Sequence, residues 1–309
     1  HIPILVDEIL EVLQIQPGQT GYDATLGYGG HTRRMLAQLQ GQGHLYATDV
    51  DPIEMEKTRA RLASAGFGPE LLTIQHRNFA DVDQVAPGVL FDFVLADLGV
   101  SSMQIDDPAR GFSYMQDAPL DMRMDKADNI DAWFIVNRWP EDKICRILRD
   151  YGEEKFAPRI AAAIVQAREE KPVETTFELV DLIKQALPMA AKRGKGHPAK
   201  QTFQAIRIEV NHELDYLKEC IEGSFERLNP GGRFCIITFH SLEDRIVKQM
   251  FHSYTIGCTC PPEFPVCVCG KKPRAKLVPK KPIEPTPEEI EQNNRSRSAK
   301  LRVLEKLES

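Results

Sequence analysis

Residues Val6 to Leu13 carry apolar side chains at helical spacing, and Pro17-Gly18 interrupts them before a short apolar run at Gly21 to Ala24. The same alternation then repeats. Helical spacing from about Thr32 to Leu39 stops at Gly41 and Gly43, and His44 to Thr48 reads as a second strand. A helix opens at Pro52, a favoured first position, and runs to about Ala65, followed by strands at Leu71 to Gln75 and Phe91 to Ala96. Strands alternating with helices predict an α/β fold with a mostly parallel sheet covered on both faces, whose ligands lie beyond the carboxyl ends of the strands. Asp23, Asp49, Asn78-Phe79 and Asp97 each follow a strand and are expected to converge on one crevice.

The alternation stops at about Met103. Helical patterns then run through Asn129 to Trp139, Glu141 to Tyr151, Glu153 to Glu170 and Phe177 to Leu187. This predicts a helical insertion over 103–205 in a discontinuous core of 1–102 and 206–309. A helix from about Ile206 to Leu228 leads back to the sheet, and Asn229-Pro230-Gly231-Gly232 turns into a strand at Arg233 to Phe239. Beyond it, Ser241 reads as a helix N-cap with Asp244 at the third helical position. His240 is a further candidate at that strand end. After a cysteine cluster and a proline-rich linker to about Pro287, Ala299 to Leu304 alternates as a last strand.

Composition narrows the function classes. With 309 residues and 42% hydrophobic side chains the chain can bury a real core. No apolar run reaches the length of a membrane span, and the first residues lack the basic start and apolar stretch of a signal peptide, so a cytoplasmic protein is expected. The formal net charge of -6 argues against a protein that coats nucleic acid by bulk attraction. Charge is nonetheless clustered: Lys192 to Lys200 and Lys271 to Lys276, continued by Lys280-Lys281, contain no acid. Such runs are either solvated loops or phosphate contacts.

Candidate chemistry begins at Gly27-Tyr28-Gly29-Gly30, between the first strand and its helix, where glycine lets a ligand approach the main chain. A dinucleotide fingerprint counted from Gly27 would need a third glycine where Thr32 stands. Asp49 still ends the second strand, where an acid accepts hydrogen bonds from a ribose diol. Asp51, directly before Pro52, reads as the helix cap instead. A sulfonium cofactor has a ribose and no pyrophosphate, which suits this turn.

Several motifs then agree in order: Asp23-Ala24-Thr25-Leu26-Gly27-Tyr28-Gly29-Gly30-His31, Asp97-Leu98-Gly99-Val100-Ser101-Ser102, Arg110-Gly111-Phe112-Ser113-Tyr114, Pro119 to Asp125, Tyr151-Gly152-Glu153-Glu154, His197-Pro198-Ala199, Thr202 to Arg207 and Phe239 to Arg245. Through them the chain resembles, nearly end to end, the RsmH (MraW) family of S-adenosylmethionine-dependent methyltransferases that modify the N4 of a cytosine in 16S ribosomal RNA. The resemblance implies a Rossmann-like class I methyltransferase sheet with an inserted helical domain for RNA recognition. It implies cofactor contacts from Gly29, Gly30, His31, Asp49, Phe79, Asp97 and Gln104, the last on resemblance alone.

Methyl transfer from sulfur is an in-line displacement, so alignment and exclusion of water matter more than a covalent nucleophile. The N4 lone pair is delocalised into the cytosine ring, and an acceptor for its protons would free it. Asp97 is the candidate catalytic residue, although the strand end lacks the Asp/Asn-Pro-Pro-aromatic run common in amino-methyltransferases. Arg110, Phe112, Tyr114 and Arg123 are candidates to receive an unstacked base, unless the two aromatic rings pin a loop to the core. Lys192, Arg193 and Lys195 are candidate phosphate contacts. The partner so implied is 16S ribosomal RNA, within the small subunit; monomer and homodimer both remain open. The competing class is a catalytically silent RNA-binding assembly protein on the same fold.

No metal is assigned to this site. Apart from it, Cys258-Thr259-Cys260 and Cys267-Val268-Cys269 bring four of the seven cysteines into one loop. In a reducing compartment that argues for metal before disulfide, while the C-x-C spacing departs from the C-x-x-C of zinc knuckles.

Overall fold

The computed structural model describes residues 2–192, 194 and 196–308. Two compact units are present, one formed by 1–99 with 214–309 and the other by 100–213.

In the first unit the chain runs α1 (Val6–Leu13), β1 (Thr20–Asp23), α2 (Gly30–Leu39), β2 (His44–Asp49), α3 (Pro52–Ser64), β3 (Leu72–His76), the short α4 (Val82–Val85) and β4 (Phe91–Asp97). The second unit holds α5 (Ser102–Asp106), α6 (Ala132–Arg138), α7 (Glu141–Asp150), α8 (Ala157–Glu170), α9 (Thr176–Ala186), α10 (Met189–Lys192) and α11 (Lys200–Asn211). The chain then returns through α12 (Glu213–Glu226), β5 (Leu228–Thr238), α13 (Ser241–Thr255), β6 (Ala275–Leu277), α14 (Pro287–Gln292) and β7 (Lys300–Lys306).

The seven strands form one sheet in the order β3-β2-β1-β4-β5-β7-β6. The first five are parallel, and β7 lies antiparallel between β5 and β6. Parallel strands are covered on both faces and so read as continuous apolar runs. Phe91, Phe93, Val94, Leu95 and Ala96 of β4 are accordingly all fully buried. One face packs on Leu5, Ile9, Met35, Leu36 and Leu39, and the other on Leu217, Ile221, Phe225, Val247 and Phe251. Gly21 is dictated by this packing, because a Cβ there would fall 2.0 Å from the Phe93 ring.

The order reverses between β1 and β4: β2 and β3 lie to one side of β1, and β5 to the far side of β4. Such a switch point opens a crevice at the strand carboxyl ends. It fixes where the glycine turn and Asp97 meet.

The helix expected over Ile206 to Leu228 is instead two helices, α11 and α12, broken at His212, whose φ of 48° is left-handed. The Asn211 side chain anchors the break, accepting from the Met124 amide at 2.9 Å and donating to the Met122 carbonyl at 2.9 Å. The expected Asn229 to Gly232 turn is taken up within β5, where the register with β4 shifts between Phe91 and Phe93. Strand β6 is an addition to the expected elements; its three residues are too few to register as alternation.

Candidate functional site

The glycine turn is woven between neighbouring strands before it becomes a helix. The Ala24 amide donates to the Leu95 carbonyl at 2.8 Å, and the Leu26 amide to the Thr48 carbonyl at 3.0 Å. Gly29 stands at the N-cap of α2 with φ of 89°, and a Cβ there would lie 2.8 Å from the Thr58 methyl. Both its backbone and its surroundings demand glycine.

Asp23 does not open onto the crevice, contrary to expectation. It is fully buried beneath the turn, where Oδ1 accepts from the Thr25 amide at 3.0 Å and Oδ2 from the Thr32 hydroxyl at 2.5 Å. Burial lifts its carboxyl to about 6 against the Thr32 bond. The residue that breaks the dinucleotide pattern thus supplies the hydroxyl that braces the turn.

Asp49 and Asp51 divide their work. Asp51 caps α3, accepting from the Ile53 and Glu54 amides at 3.1 and 3.2 Å. Asp49 stands at the end of β2, its Oδ2 accepting from the Gly27 amide at 3.1 Å and its Oδ1 from the Asp51 amide at 2.9 Å. A carboxylate has about four lone-pair positions, so each oxygen retains capacity for a ligand hydroxyl. Burial lifts Asp49 to about 6, opposed by the Asp51 amide. Phe79 follows β3 half-buried against the core, and its carbonyl receives the Tyr22 hydroxyl at 3.4 Å.

Asp97 closes β4 across the switch point. Its amide donates to the Thr25 hydroxyl at 2.7 Å, which ties it to the turn. Its Oδ2 stands 3.6 Å from His31 Nδ1. Its Oδ1 is shut from solvent and has no hydrogen-bond partner among the described residues. The side chain keeps 27% of its exposure, so the carboxylate is edge-open. Burial, with the Glu243 charge added, pushes it up to about 7. On the other side of the ring, His31 Nε2 bonds the Ile4 carbonyl at 2.7 Å. Because a carbonyl only accepts, Nε2 carries the hydrogen and Nδ1 of the neutral ring turns a lone pair toward Asp97. Burial holds His31 below its usual range, so the ring adds little positive charge.

Glu243 is the residue sequence reasoning missed. It lies 2% exposed in the first turn of α13, where its Oε1 accepts from the Phe239 amide at 2.9 Å. The expected cap is corrected with it. His240, not Ser241, is the N-cap, its Nδ1 accepting from the Glu243 amide at 3.4 Å, which makes Glu243 the third helical residue. Asp244 instead forms a two-pronged ion pair with Arg302 of β7 at 2.7 and 2.9 Å. Beside them, a cleft of about 480 Å³ is lined by His240, Arg245, Lys248 and Lys300 among others.

Gln104 belongs to the second unit and completes a capping box at α5, exchanging hydrogen bonds of 3.2 Å with Ser101. There, too, Arg110 is buried and donates to the Arg123 and Met124 carbonyls at 3.1 and 2.9 Å. Phe112 lies in the same unit's core. Both side chains are packed within this unit, where Arg110 braces the loop. Tyr114 is half-buried and stacks on His197 at 4.4 Å. Arg123 embraces Asp121 with bonds of 2.7 and 3.1 Å. Lys192 is exposed at the end of α10, while Arg193 and Lys195 lie outside the described residues.

The geometry brings together Gly29, Gly30, His31, Asp49 and Asp97 on the turn and the strand ends beside it. Its electrostatics are lopsided: Asp49 and Asp97 face the site, Glu243 adds its charge to Asp97, Asp23 lies buried beneath the turn, and the ion-pair partner of Asp97 among the described residues is an imidazole that burial keeps neutral. Such a site favours a ligand that brings a positive charge to Asp97 and hydroxyls to Asp49.

The family model described as the MraW methylase family matches residues 1–307. The chain is similar to the ribosomal RNA small subunit methyltransferase H of Brevibacillus brevis, 51% identical over 99% of this chain and 98% of that one. It is 50% identical to the protein of the same name from Clostridium botulinum, covering 99% of each chain. A third such protein, from Symbiobacterium thermophilum, is 49% identical over 100% of this chain and 97% of its own.

Proposed function

Because the chain belongs to the MraW methylase family, we propose that it transfers a methyl group from S-adenosylmethionine to the exocyclic N4 of one cytosine in the small-subunit ribosomal RNA. The observation that carries this reading is the buried Oδ1 of Asp97 at the switch point, without a hydrogen-bond partner among the described residues. A carboxylate left without a counter-charge in an acid-rich site fits a cationic group. S-adenosylmethionine supplies an electrophilic methyl on a positively charged sulfur, together with a ribose diol.

Gly29 and Gly30 let the ligand approach the backbone, Asp49 accepts from the ribose hydroxyls, and Phe79 packs against the adenine. His31 fixes the inner edge of Asp97, and for Gln104 the cofactor role is the one that the family resemblance implies. Asp97 has two uses at different moments. It holds the cation on binding, and an ionised oxygen then accepts a proton of the N4 amine as that nitrogen becomes tetrahedral. The chain's main contribution is alignment and exclusion of water.

For the RNA, Lys192, Arg193, Lys195 and the exposed Lys271, Lys272, Lys280 and Lys281 contact phosphates, which orient the strand without reading its sequence. Tyr114 and Arg123 border the path of the unstacked base. The test is incubation with isotopically labelled S-adenosylmethionine and small ribosomal subunits lacking the modification, followed by mass spectrometry of RNA fragments. Label on the N4 of one cytosine is expected. Label on another atom or base, or none with subunits and free RNA alike, overturns the reading.

A further inference from the structure

Four thiols converge in a loop to which the methyl-transfer site gives no role. Between α13 and β6, the sulfur atoms of Cys258, Cys260, Cys267 and Cys269 all lie within 4.8 Å of one another. Cys267 and Cys269 are 3.5 Å apart, Cys258 and Cys269 3.7 Å, and Cys260 and Cys267 3.9 Å. A tetrahedral ion with Zn–S bonds of about 2.3 Å requires sulfurs about 3.8 Å apart, whereas a disulfide requires about 2.05 Å. The observed edges match the first figure.

The surrounding backbone serves the same end. The Cys260 amide points at Cys258 sulfur at 3.4 Å, and the Val268 amide at Cys260 sulfur at 3.3 Å. Amide donors around sulfur disperse the negative charge of thiolates, as supporting groups do in metal sites. The loop meanwhile lacks a core: Phe264 is 48% exposed, Val266 70% and Val268 74%. It is closed at its base by the Arg274 amide on the Tyr254 carbonyl at 2.9 Å. Loop closure without apolar burial leaves nothing to offset the entropy of ordering.

We propose that Cys258, Cys260, Cys267 and Cys269 bind one zinc ion as a closed tetrathiolate that folds this loop. Four protein ligands leave no open position for substrate or water, so the ion is structural. Each thiol releases its proton to solvent as it binds, with no change of oxidation state. The C-x-C spacing is accommodated because each pair contributes one edge of the tetrahedron. The remaining cysteines stand apart, Cys220 and Cys235 buried in the cores.

The test uses the full chain, purified under reducing conditions with no zinc added. Elemental analysis is expected to find about one zinc per chain, falling to background in a Cys267→Ser/Cys269→Ser variant. Should that variant fail to fold, the unaltered chain decides: stripped with chelator and given cobalt(II), it should develop the thiolate-to-cobalt charge-transfer and visible bands of a tetrahedral tetrathiolate. Zinc far below stoichiometry together with no such bands overturns the proposal. So does an intact mass four hydrogens short in protein kept under reductant, which would mean two disulfides.

Discussion

Asp97 Oδ2 faces His31 Nδ1 at 3.6 Å, while Nε2 of the same ring is fastened to the Ile4 carbonyl. That fastening decides the tautomer. The neutral imidazole offers Asp97 a lone pair, so the carboxyl either keeps a proton or meets a cation from outside the chain. Asp97→Ala should therefore lose both ligand and turnover: S-adenosylmethionine affinity by calorimetry down roughly tenfold or more, and methylation down by about 100-fold or more. Values within a few-fold of the parent for both would remove Asp97 from the site.

The same carboxyl sets a pH dependence of stability. Its folded value of about 7 lies above the ordinary 3.8, so its contribution is fully present below about pH 4 and lost as pH rises through 7. Asp97→Asn removes that loss. The variant should be more stable than the parent at pH 8, on the order of 2 kcal/mol after allowance for the partly open edge, with the gain shrinking toward pH 5. Urea denaturation across this range measures it; a gain independent of pH would mean that the charge is not its source.

Ligand charge should move protons. In the free protein at pH 7 Asp97 is about half protonated, and a cationic ligand drives that proton off. Calorimetry in two buffers of different ionisation enthalpy should register about half a proton released per S-adenosylmethionine bound. The release should be smaller for the uncharged-sulfur product S-adenosylhomocysteine and absent in Asp97→Asn. Equal release for both ligands would assign the effect to their shared amino group.

The two acids after β2 should separate by measurement. Asp51→Ala removes a helix cap and should lower stability by about 1 kcal/mol with ligand affinity nearly unchanged. Asp49→Ala should do the reverse, weakening S-adenosylmethionine at least about tenfold through loss of its hydroxyl acceptor. If Asp51→Ala abolishes binding while Asp49→Ala does not, the roles are exchanged.

Reversing the charges of Lys192, Arg193 and Lys195 to Glu should weaken RNA binding and flatten its dependence on salt. Without these three cations on the phosphates, the slope of log affinity against log salt should fall by about 2 to 3. An unchanged slope excludes this segment from the interface.

The α/β architecture was legible because its signals are local. Glycines follow the ends of α2 and α3, Pro52 fixes the start of α3, and unbroken apolar runs such as Phe93 to Ala96 betray strands buried on both faces. The Asp51 cap could be read from Pro52 alone. What stayed hidden depends on contacts far apart in the chain. Nothing local marks His212 as a left-handed break, since the stabilising partner is Asn211 reaching to Met122 and Met124. Ser241 outranks His240 as a cap by propensity, yet the exit of β5 holds His240 in the extended backbone that a cap requires. Glu243 reads in the sequence as an ordinary surface acid in a first helical turn, and only burial turns it into a charge felt by Asp97.

Strand β7, made after all the others, pairs in the interior of the sheet, between β5 and β6, and carries the Arg302 that grips Asp244 at the head of α13. That same head bears Glu243, which helps to set the charge of Asp97. The head of α13 is thus anchored by a residue some 58 positions further along the chain, so the placement of the acid that acts on Asp97 depends on a strand distant in sequence.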